Sequence, residues 1–327
     1  ALYGEIAAAP AGPGPGMGRA GIVALGLAAG ALGAGCFLAM LSGSPGTVIF
    51  VYLAQLPLFA AGLWLGAGAS MLAGLGATVL VMAIGGVVAA SLFAALYAVP
   101  VALLARQALL ARRQADGATE WYPPGLLAAW LTALGLATIA AVVVLLGGPD
   151  GIRALLHTAL APAVSHLAEE NQAEGNSFVD FVAGIMPGIV AVSWMVMTLS
   201  NGVLAQGVLA RFGAAWRPSP DLALLSLPLW VPALVPVAGA AAAFAGITRF
   251  LGVNVLIALG VPFCLAGLAV LHALARRLQR PALPLAVFYV LTGLLGWPLL
   301  LVAVLGIADS VLGLRRRWAV APIMRRE

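Results

Sequence analysis

The chain has 327 residues, of which 63% are hydrophobic and only 8% are charged. A soluble domain devotes about a quarter of its residues to charge, so this composition excludes a soluble protein and predicts an integral membrane protein. The net charge of +5 does not indicate nucleic-acid binding, because the basic residues, all arginines, cluster directly at the ends of apolar runs.

The arginine clusters predict which ends of the apolar runs are cytoplasmic. Short loops that are rich in arginine stay on the cytoplasmic side, where they also contact anionic lipid headgroups. The clusters are Arg106 with Arg112 and Arg113, Arg211 with Arg217, Arg276 with Arg277 and Arg280, and residues 315–317 with Arg325 and Arg326. They favour a membrane protein with a cytoplasmic N-terminus.

The apolar runs begin after a segment that is rich in Ala, Pro and Gly. We predict residues 1–19 to be a flexible cytoplasmic tail, residues 20–314 to be one transmembrane domain and residues 315–327 to be a basic cytoplasmic tail. A spanning helix needs roughly 20 apolar residues. By that criterion the first five predicted spans are 22–41, 48–65, 67–84, 87–110 and 126–146.

Residues 148–180 interrupt the apolar pattern and form a predicted exterior loop. Asp150 can cap a helix with apolar residues on one face, and that spacing predicts an amphipathic helix at the membrane surface. The apolar residues are Ile152, Leu155, Leu156 and Leu160. Residues 169–177 are polar and predict a loop.

The remaining runs predict spans at 181–209, 222–247 and 253–274, followed by a run at 283–313. The last run is too long for one relaxed helix and short for two, and "GWP" interrupts it at residues 296–298. A hairpin keeps the C-terminal arginines inside, so we favour it over a single helix. The predicted fold is an all-α polytopic membrane protein with eight to ten transmembrane helices.

Polar side chains at membrane depth are costly and are therefore the candidate substrate-binding residues. They are Gln55, Asn201, Gln206, Asn254, His272 and Asp309. The alternative for the amides is hydrogen bonding between helices, and for His272 a bond to a backbone carbonyl. Asp309 could pair with an arginine of the "LRRR" segment as a structural clamp, or act as a proton site.

Gly and Ala recur three to four residues apart in residues 60–77, which lets helices approach closely. This pattern suits either a face that docks another membrane subunit or internal packing. Common enzyme motifs, such as HExxH, GxSxG and Walker A, are absent from the sequence, so we expect no enzyme activity, no cofactor and no metal site.

Two C-terminal segments, "GVNVLIALGVPFCLAGLAVLHALARR" (252–277) and "VLGIADSVLGLRRR" (304–317), carry a family pattern. Its positions are Asn254, Gly267, Leu268, His272, Gly306, Asp309 and Arg315. With "LPLFAAGLWLG", "EWYPPG", "LAQGVLARFG" and "RPSPD", the chain resembles the YybS-like bacterial membrane proteins, a domain of unknown function. That family is distantly similar to the S-components of energy-coupling-factor vitamin transporters. This chain has more apparent spans than those proteins, and no ligand residue transfers from them.

The resemblance implies a transporter-like, solute-binding protein of the bacterial inner membrane that works with a partner subunit, its small-molecule ligand unidentified. The alternative is a non-catalytic scaffold or accessory subunit of a larger membrane assembly. A solute-binding protein would surround a cavity with the polar side chains of the spans. A scaffold would pack those side chains against each other.

Overall fold

The computed structural model describes residues 17–167, 172–315 and 317, which are almost entirely helical. The chain divides into two compact units. Unit 1 comprises Ala1–Leu127 and Val196–Pro220, and unit 2 comprises Ala128–Met195 and Asp221–Glu327.

The helices of the described residues are α1 (Arg19–Leu38), α2 (Val48–Leu53), α3 (Leu56–Leu65), α4 (Ala67–Phe93), α5 (Val99–Ala108), α6 (Pro124–Leu145), α7 (Gly148–Leu167), α8 (Gln172–Arg211), α9 (Trp230–Ala243), α10 (Ile247–Ala275), α11 (Ala282–Leu295) and α12 (Pro298–Leu312). A π-helical turn, Ala94–Ala98, joins α4 to α5. Two short antiparallel strands, β1 (Ala111–Arg113) and β2 (Thr119–Trp121), form a hairpin after α5. The prediction of a helical protein is therefore confirmed.

Six helical stretches of the described residues are long and apolar enough to cross a membrane. They are Arg19–Ser42, Pro45–Leu65, Ala67–Ala108, Pro124–Leu145, Gly175–Arg211 and Ile247–Ala275. The helices α9, α11 and α12 are apolar but shorter. This pattern supports a multi-pass membrane protein, while the count of eight to ten spans stays a prediction.

The third and fourth predicted spans meet at a break in α4. Gly86 has φ 81° and ψ 177°, a conformation outside the helical region that glycine adopts without the steric cost of a Cβ. A continuous helix over the 42 residues Ala67–Ala108 would be about 63 Å long, twice the roughly 30 Å of a bilayer core. The break therefore divides this stretch into two segments of spanning length.

The seventh predicted span, 222–247, is wrong in its extent. The helix α9 covers only 14 residues. The backbone is extended at Leu225, before the helix begins. Pro228 and Pro232 lie on either side of the first residue of α9. The helix ends at Phe244, which has the extended conformation φ −90° and ψ 153°. Pro228 lies before α9, where the residue preceding a proline avoids the helical conformation.

The predicted polar loop 169–177 is also wrong for the part that the structure describes. Residues 172–177 are the first turns of α8, and residues 168–171 lie outside the described residues. Gln, Ala and Glu are good helix formers, so a polar composition alone did not require a loop here.

The final run consists of two helices, α11 and α12. They are separated at Gly296, which has φ 70°, and Trp297. Pro298 begins α12, where its missing N–H costs no helical hydrogen bond. A single helix over 283–313 is thereby excluded, and the side of the membrane on which the C-terminus lies stays a prediction.

The predicted amphipathic helix corresponds to α7. Ile152 and Leu156 are buried, and both pack in a cluster with Val143 and Val179 of unit 2. Leu155, in contrast, is 52% exposed. The helix thus has one packed face, and its location at a membrane surface stays a prediction.

The small residues of the 60–77 segment pack inside unit 1. Those that are buried are Ala61, Gly62, Ala69, Ser70, Ala73, Gly74 and Ala77. A Cβ at Gly62 would lie 2.8 Å from Ala105 and from Ser70, so the glycine permits a close helix contact. These residues serve internal packing, and a docking face for a partner subunit stays a proposal.

Candidate functional site

A break in the helical backbone of unit 1 places Gln55 in the protein interior. Pro57 has no N–H, so the carbonyl of Leu53 loses its helical donor and α2 ends. Helical bonding resumes where the N–H of Phe59 donates to the carbonyl of Gln55 at 2.9 Å. Gln55 is fully buried, and its Nε2 donates to the carbonyl of Leu96, in the π-helical turn, at 2.9 Å.

Asn201 lies on α8 and binds the same region of unit 1. Its Nδ2 donates to the carbonyl of Tyr52 at 2.7 Å and to the carbonyl of Met197 at 2.8 Å. Thr198 lies one helical turn earlier on α8 and, like Asn201, is buried. The bond to Tyr52 joins this part of α8 to the chain just before Gln55.

Three buried oxygens in this region have no hydrogen-bond partner among the described residues: Gln55 Oε1, Thr198 Oγ1 and Asn201 Oδ1. Both amide nitrogens face carbonyl oxygens, so a flip of either amide would place two acceptors against each other. In both amides the oxygen, and not the nitrogen, is therefore the atom without a partner among the described residues. We call these three atoms the unit 1 oxygen cluster. Unpartnered buried acceptors are costly, which makes this region the candidate binding site of unit 1.

Gln206 lies further along α8, in contact with the segment that follows it. Its Nε2 donates to the carbonyl of Arg217 at 2.8 Å. The guanidinium of Arg217 is buried and donates to the carbonyl of Ala108, at the C-terminus of α5. Burial lowers the pKa of Arg217. The clustering of Arg211 with Arg217 predicts a cytoplasmic end of an apolar run, and no local signal in the sequence distinguishes the buried Arg217 from Arg211.

In unit 2, Asn254 joins α10 to α8. Its Oδ1 accepts from the N–H of Gly188 at 2.6 Å, and its Nδ2 donates to the carbonyls of Gly184 at 2.8 Å and Phe250 at 2.7 Å. Gly184 and Gly188 are the two residues that an ordinary helical hydrogen bond would connect. The side-chain amide thus bonds both backbone groups next to Pro187, which lies inside α8.

Asp309 pairs with Arg315, as the structural-clamp alternative predicted. Nε and the backbone N–H of Arg315 each donate to the carboxylate at 2.9 Å. The same guanidinium donates to the carbonyls of Ala223 and Leu225 at 2.7 Å. Asp309 is 6% exposed at its side chain, so this is a buried ion pair whose remaining donors are also bonded.

His272 bonds a backbone carbonyl, as the alternative for that residue predicted: Nδ1 lies 2.9 Å from the carbonyl of Leu268. Near it, Arg276 makes a bidentate pair with Asp221 at 2.6 and 2.7 Å. This pairing lowers the pKa of Asp221 and raises that of Arg276. Whether His272 or any other predicted site residue binds a substrate stays a prediction.

Sequence reasoning missed a polar cluster between α7 and α8. Asp180 lies 3.0 Å from Arg153 and 3.2 Å from His157. The four-residue spacing of Arg153 and His157 places them on one helix face, but only the structure brings Asp180 to them. Within the described residues, no group of three His, Cys, Asp or Glu side chains could hold a metal ion.

The comparisons with known proteins agree with this membrane architecture. No curated protein and no solved structure matches the chain. One family model, described as "Predicted membrane protein (DUF2232)", matches residues 31–310, which is most of the chain. The chain therefore belongs to the DUF2232 family of membrane proteins.

Proposed function

We propose that the protein is a transporter-like, solute-binding component of the bacterial inner membrane, without enzymatic activity. The observation that carries this proposal is the unit 1 oxygen cluster. Each of its three side chains is at least 98% buried, yet each keeps an oxygen without a partner among the described residues. Polar groups at membrane depth persist mainly where they bind something or bond each other.

The backbone around the cluster supports the same proposal. The chain is interrupted between α2 and α3, and a π-helical turn supplies the carbonyl that holds Gln55. Discontinuous helices and π-helical turns are both common at binding sites of membrane proteins. Of the six predicted site residues, Gln55 and Asn201 are the two whose buried oxygens stay unpartnered.

The proposal also includes a family relation and an orientation of the chain in the membrane. A relation to the YybS-like proteins, and more distantly to S-components, would make the protein a capture subunit that docks on a second membrane protein. A cytoplasmic N-terminus follows from the arginine clusters.

A scaffold or accessory subunit is the second candidate, and unit 2 favours it. All the hydrogen-bonding groups of the Asn254 amide meet backbone partners, and Asp309 is paired with Arg315. Side chains that are fully used in this way hold helices together and leave nothing for a solute.

Mass spectrometry of what co-purifies tests the two candidates. The wild-type protein and the Gln55→Leu variant are purified from native membranes in mild detergent, with Thr132→Val as a matched control. Thr132 is buried in unit 2, and its hydroxyl bonds the carbonyl of Ala128.

We expect one small molecule at near-equal stoichiometry with the wild type and the control, and at least tenfold less with Gln55→Leu. A stoichiometric membrane protein without any small molecule would instead support the scaffold. A small molecule that Gln55→Leu retains in full would remove the unit 1 oxygen cluster from the binding site.

A further inference from the structure

We infer that the unit 1 oxygen cluster binds a monovalent metal cation, Na⁺ or K⁺. This inference rests on the proposed function, because it names the chemical class that the same site takes.

The available atoms are acceptors. The amide nitrogens of Gln55 and Asn201 already donate to the carbonyls of Leu96, Tyr52 and Met197. What remains are two amide oxygens and the hydroxyl of Thr198. Amide oxygens only accept, so a carboxylate or phosphate would find no amide donor here. The ligand must be a cation or a group that carries hydrogen-bond donors.

The charge of the surroundings favours a monovalent ion over a divalent one. The helices α1–α5 and the unit 1 part of α8 contain no Asp or Glu. Calcium and magnesium sites in proteins are built with carboxylates, which offset the double charge and the cost of dehydration. Neutral oxygens alone suffice for monovalent ions, as in filters of backbone carbonyls.

The helical backbone is interrupted beside Gln55. Pro57 leaves the carbonyl of Leu53 without its helical donor. Leu53 lies between Tyr52, whose carbonyl accepts from Asn201, and Gln55, whose amide donates to Leu96. Interrupted helices in transporters use such freed carbonyls to coordinate Na⁺. Gln55 therefore lies at the kind of interrupted backbone that holds alkali ions, and Asn201 bonds the carbonyl of Tyr52 beside it.

A bound water is the competing occupant, since one water can donate two hydrogen bonds to buried oxygens. Thermal unfolding separates the two occupants. The purified protein is melted in detergent at constant ionic strength while choline chloride is replaced by NaCl or KCl. A bound cation stabilises the folded state by mass action, so we expect the midpoint to rise by about 3–8 °C and then to saturate.

Thr198→Val is the informative variant, because it removes a hydroxyl without a partner among the described residues and keeps the side-chain shape. We expect its midpoint in choline to equal or exceed that of the wild type. The cation concentration for half of the stabilisation should rise at least tenfold. Thr132→Val, the control in unit 2, should keep the full response to the cation.

Equal midpoints in sodium, potassium and choline would overturn the inference in favour of water, as would an unchanged cation response in Thr198→Val. If the variant does not fold, saturable binding of ²²Na⁺ or ⁸⁶Rb⁺ to the wild type decides, and absence of binding overturns the inference. A co-purifying organic solute without a cation response would uphold the proposed function and reject the cation. A cation response without a co-purifying organic solute would uphold the cation site and reject the binding of an organic solute there.

Discussion

Asn201 in unit 1 and Asn254 in unit 2 are the same residue type, and both are buried in long apolar helices. Asn254 uses its oxygen and its nitrogen against backbone groups, whereas the oxygen of Asn201 has no partner among the described residues. Burial of a polar residue is therefore not what distinguishes a binding site from a structural bond. The distinguishing quantity is which of its polar atoms remain unpartnered after packing.

The same contrast extends to the charged residues. Unit 2 buries an aspartate but pairs it with Arg315 and completes the arginine with two carbonyls. The membrane-depth polar groups of unit 1 that stay unpartnered are neutral. A side chain whose polar atoms are all bonded should cost stability when it is removed, and a side chain that keeps an unpartnered oxygen should cost much less.

The largest expected effect concerns the buried ion pair of unit 2. Asp309→Leu leaves the Arg315 guanidinium, whose side chain is only 17% exposed, without its carboxylate, so we expect the free energy of unfolding to fall by about 3–5 kcal/mol. The measurement is reversible unfolding in mixed detergent. The double variant Asp309→Leu/Arg315→Met should recover much of the loss, because no uncompensated charge remains; equal losses in both would contradict the role given to the pair.

The two asparagines give the next largest effect and the most direct comparison. Asn254→Leu leaves Gly188 N–H and the Gly184 carbonyl without the amide, and we expect a loss of about 2–3 kcal/mol. Asn201→Leu also removes an unpartnered oxygen, so its cost in choline buffer should stay below about 1 kcal/mol. Similar losses for the two variants would abolish the distinction between the units.

A smaller effect is expected at the contact between α10 and α12. A Cβ at Gly306 would overlap the carbonyl of Phe263, so Gly306→Ala should separate the helices and cost about 1–3 kcal/mol. Gly293→Ala in α11 is the control, because no heavy atom lies within 4 Å of its added Cβ. Both variants are compared by thermal midpoint, and a loss confined to Gly293→Ala would refute the packing.

The smallest effect concerns the exposed pair of Asp221 and Arg276. Because pairing lowers the pKa of Asp221 in the folded state, the pair stabilises the protein above the unfolded pKa of about 3.9. That contribution declines as the pH falls below about 5. Asp221→Asn should therefore melt slightly below the wild type at pH 7, and the difference should shrink as the pH falls through the lowered pKa of Asp221. A difference that grows with acidity would contradict this sign.

Much of the helix pattern could be predicted from the sequence. Apolar runs indicate the long helices, the break near Gly86 follows from the gap between two runs, and "GWP" marks the division between α11 and α12. The pairing of Asp309 was also foreseeable, because an acid six residues before an arginine is within reach at a helix end. These features depend on local sequence.

The features that escaped prediction depend on partners far away in the chain. Thr198 looks like any threonine in an apolar helix, and only the packing of unit 1 leaves its hydroxyl without a partner. Arg217 resembles the exposed Arg211 in sequence, yet its guanidinium is buried against the end of α5. The hydrogen bonds of the Asn254 amide are made with Gly188 and Gly184, which lie 66 and 70 positions earlier in the chain.

That last separation has a consequence for how the protein is made. The backbone groups of Gly184 and Gly188, next to Pro187, emerge from the ribosome before the amide of Asn254 that bonds them. At about 5–20 residues per second, the interval for 66 residues is about 3–13 s. Throughout that time the backbone of α8 beside Pro187 lacks the hydrogen bonds of the Asn254 amide, and the insertion of α10 supplies them. Slow or failed insertion of α10 would therefore expose α8 itself to the quality-control proteases of the membrane.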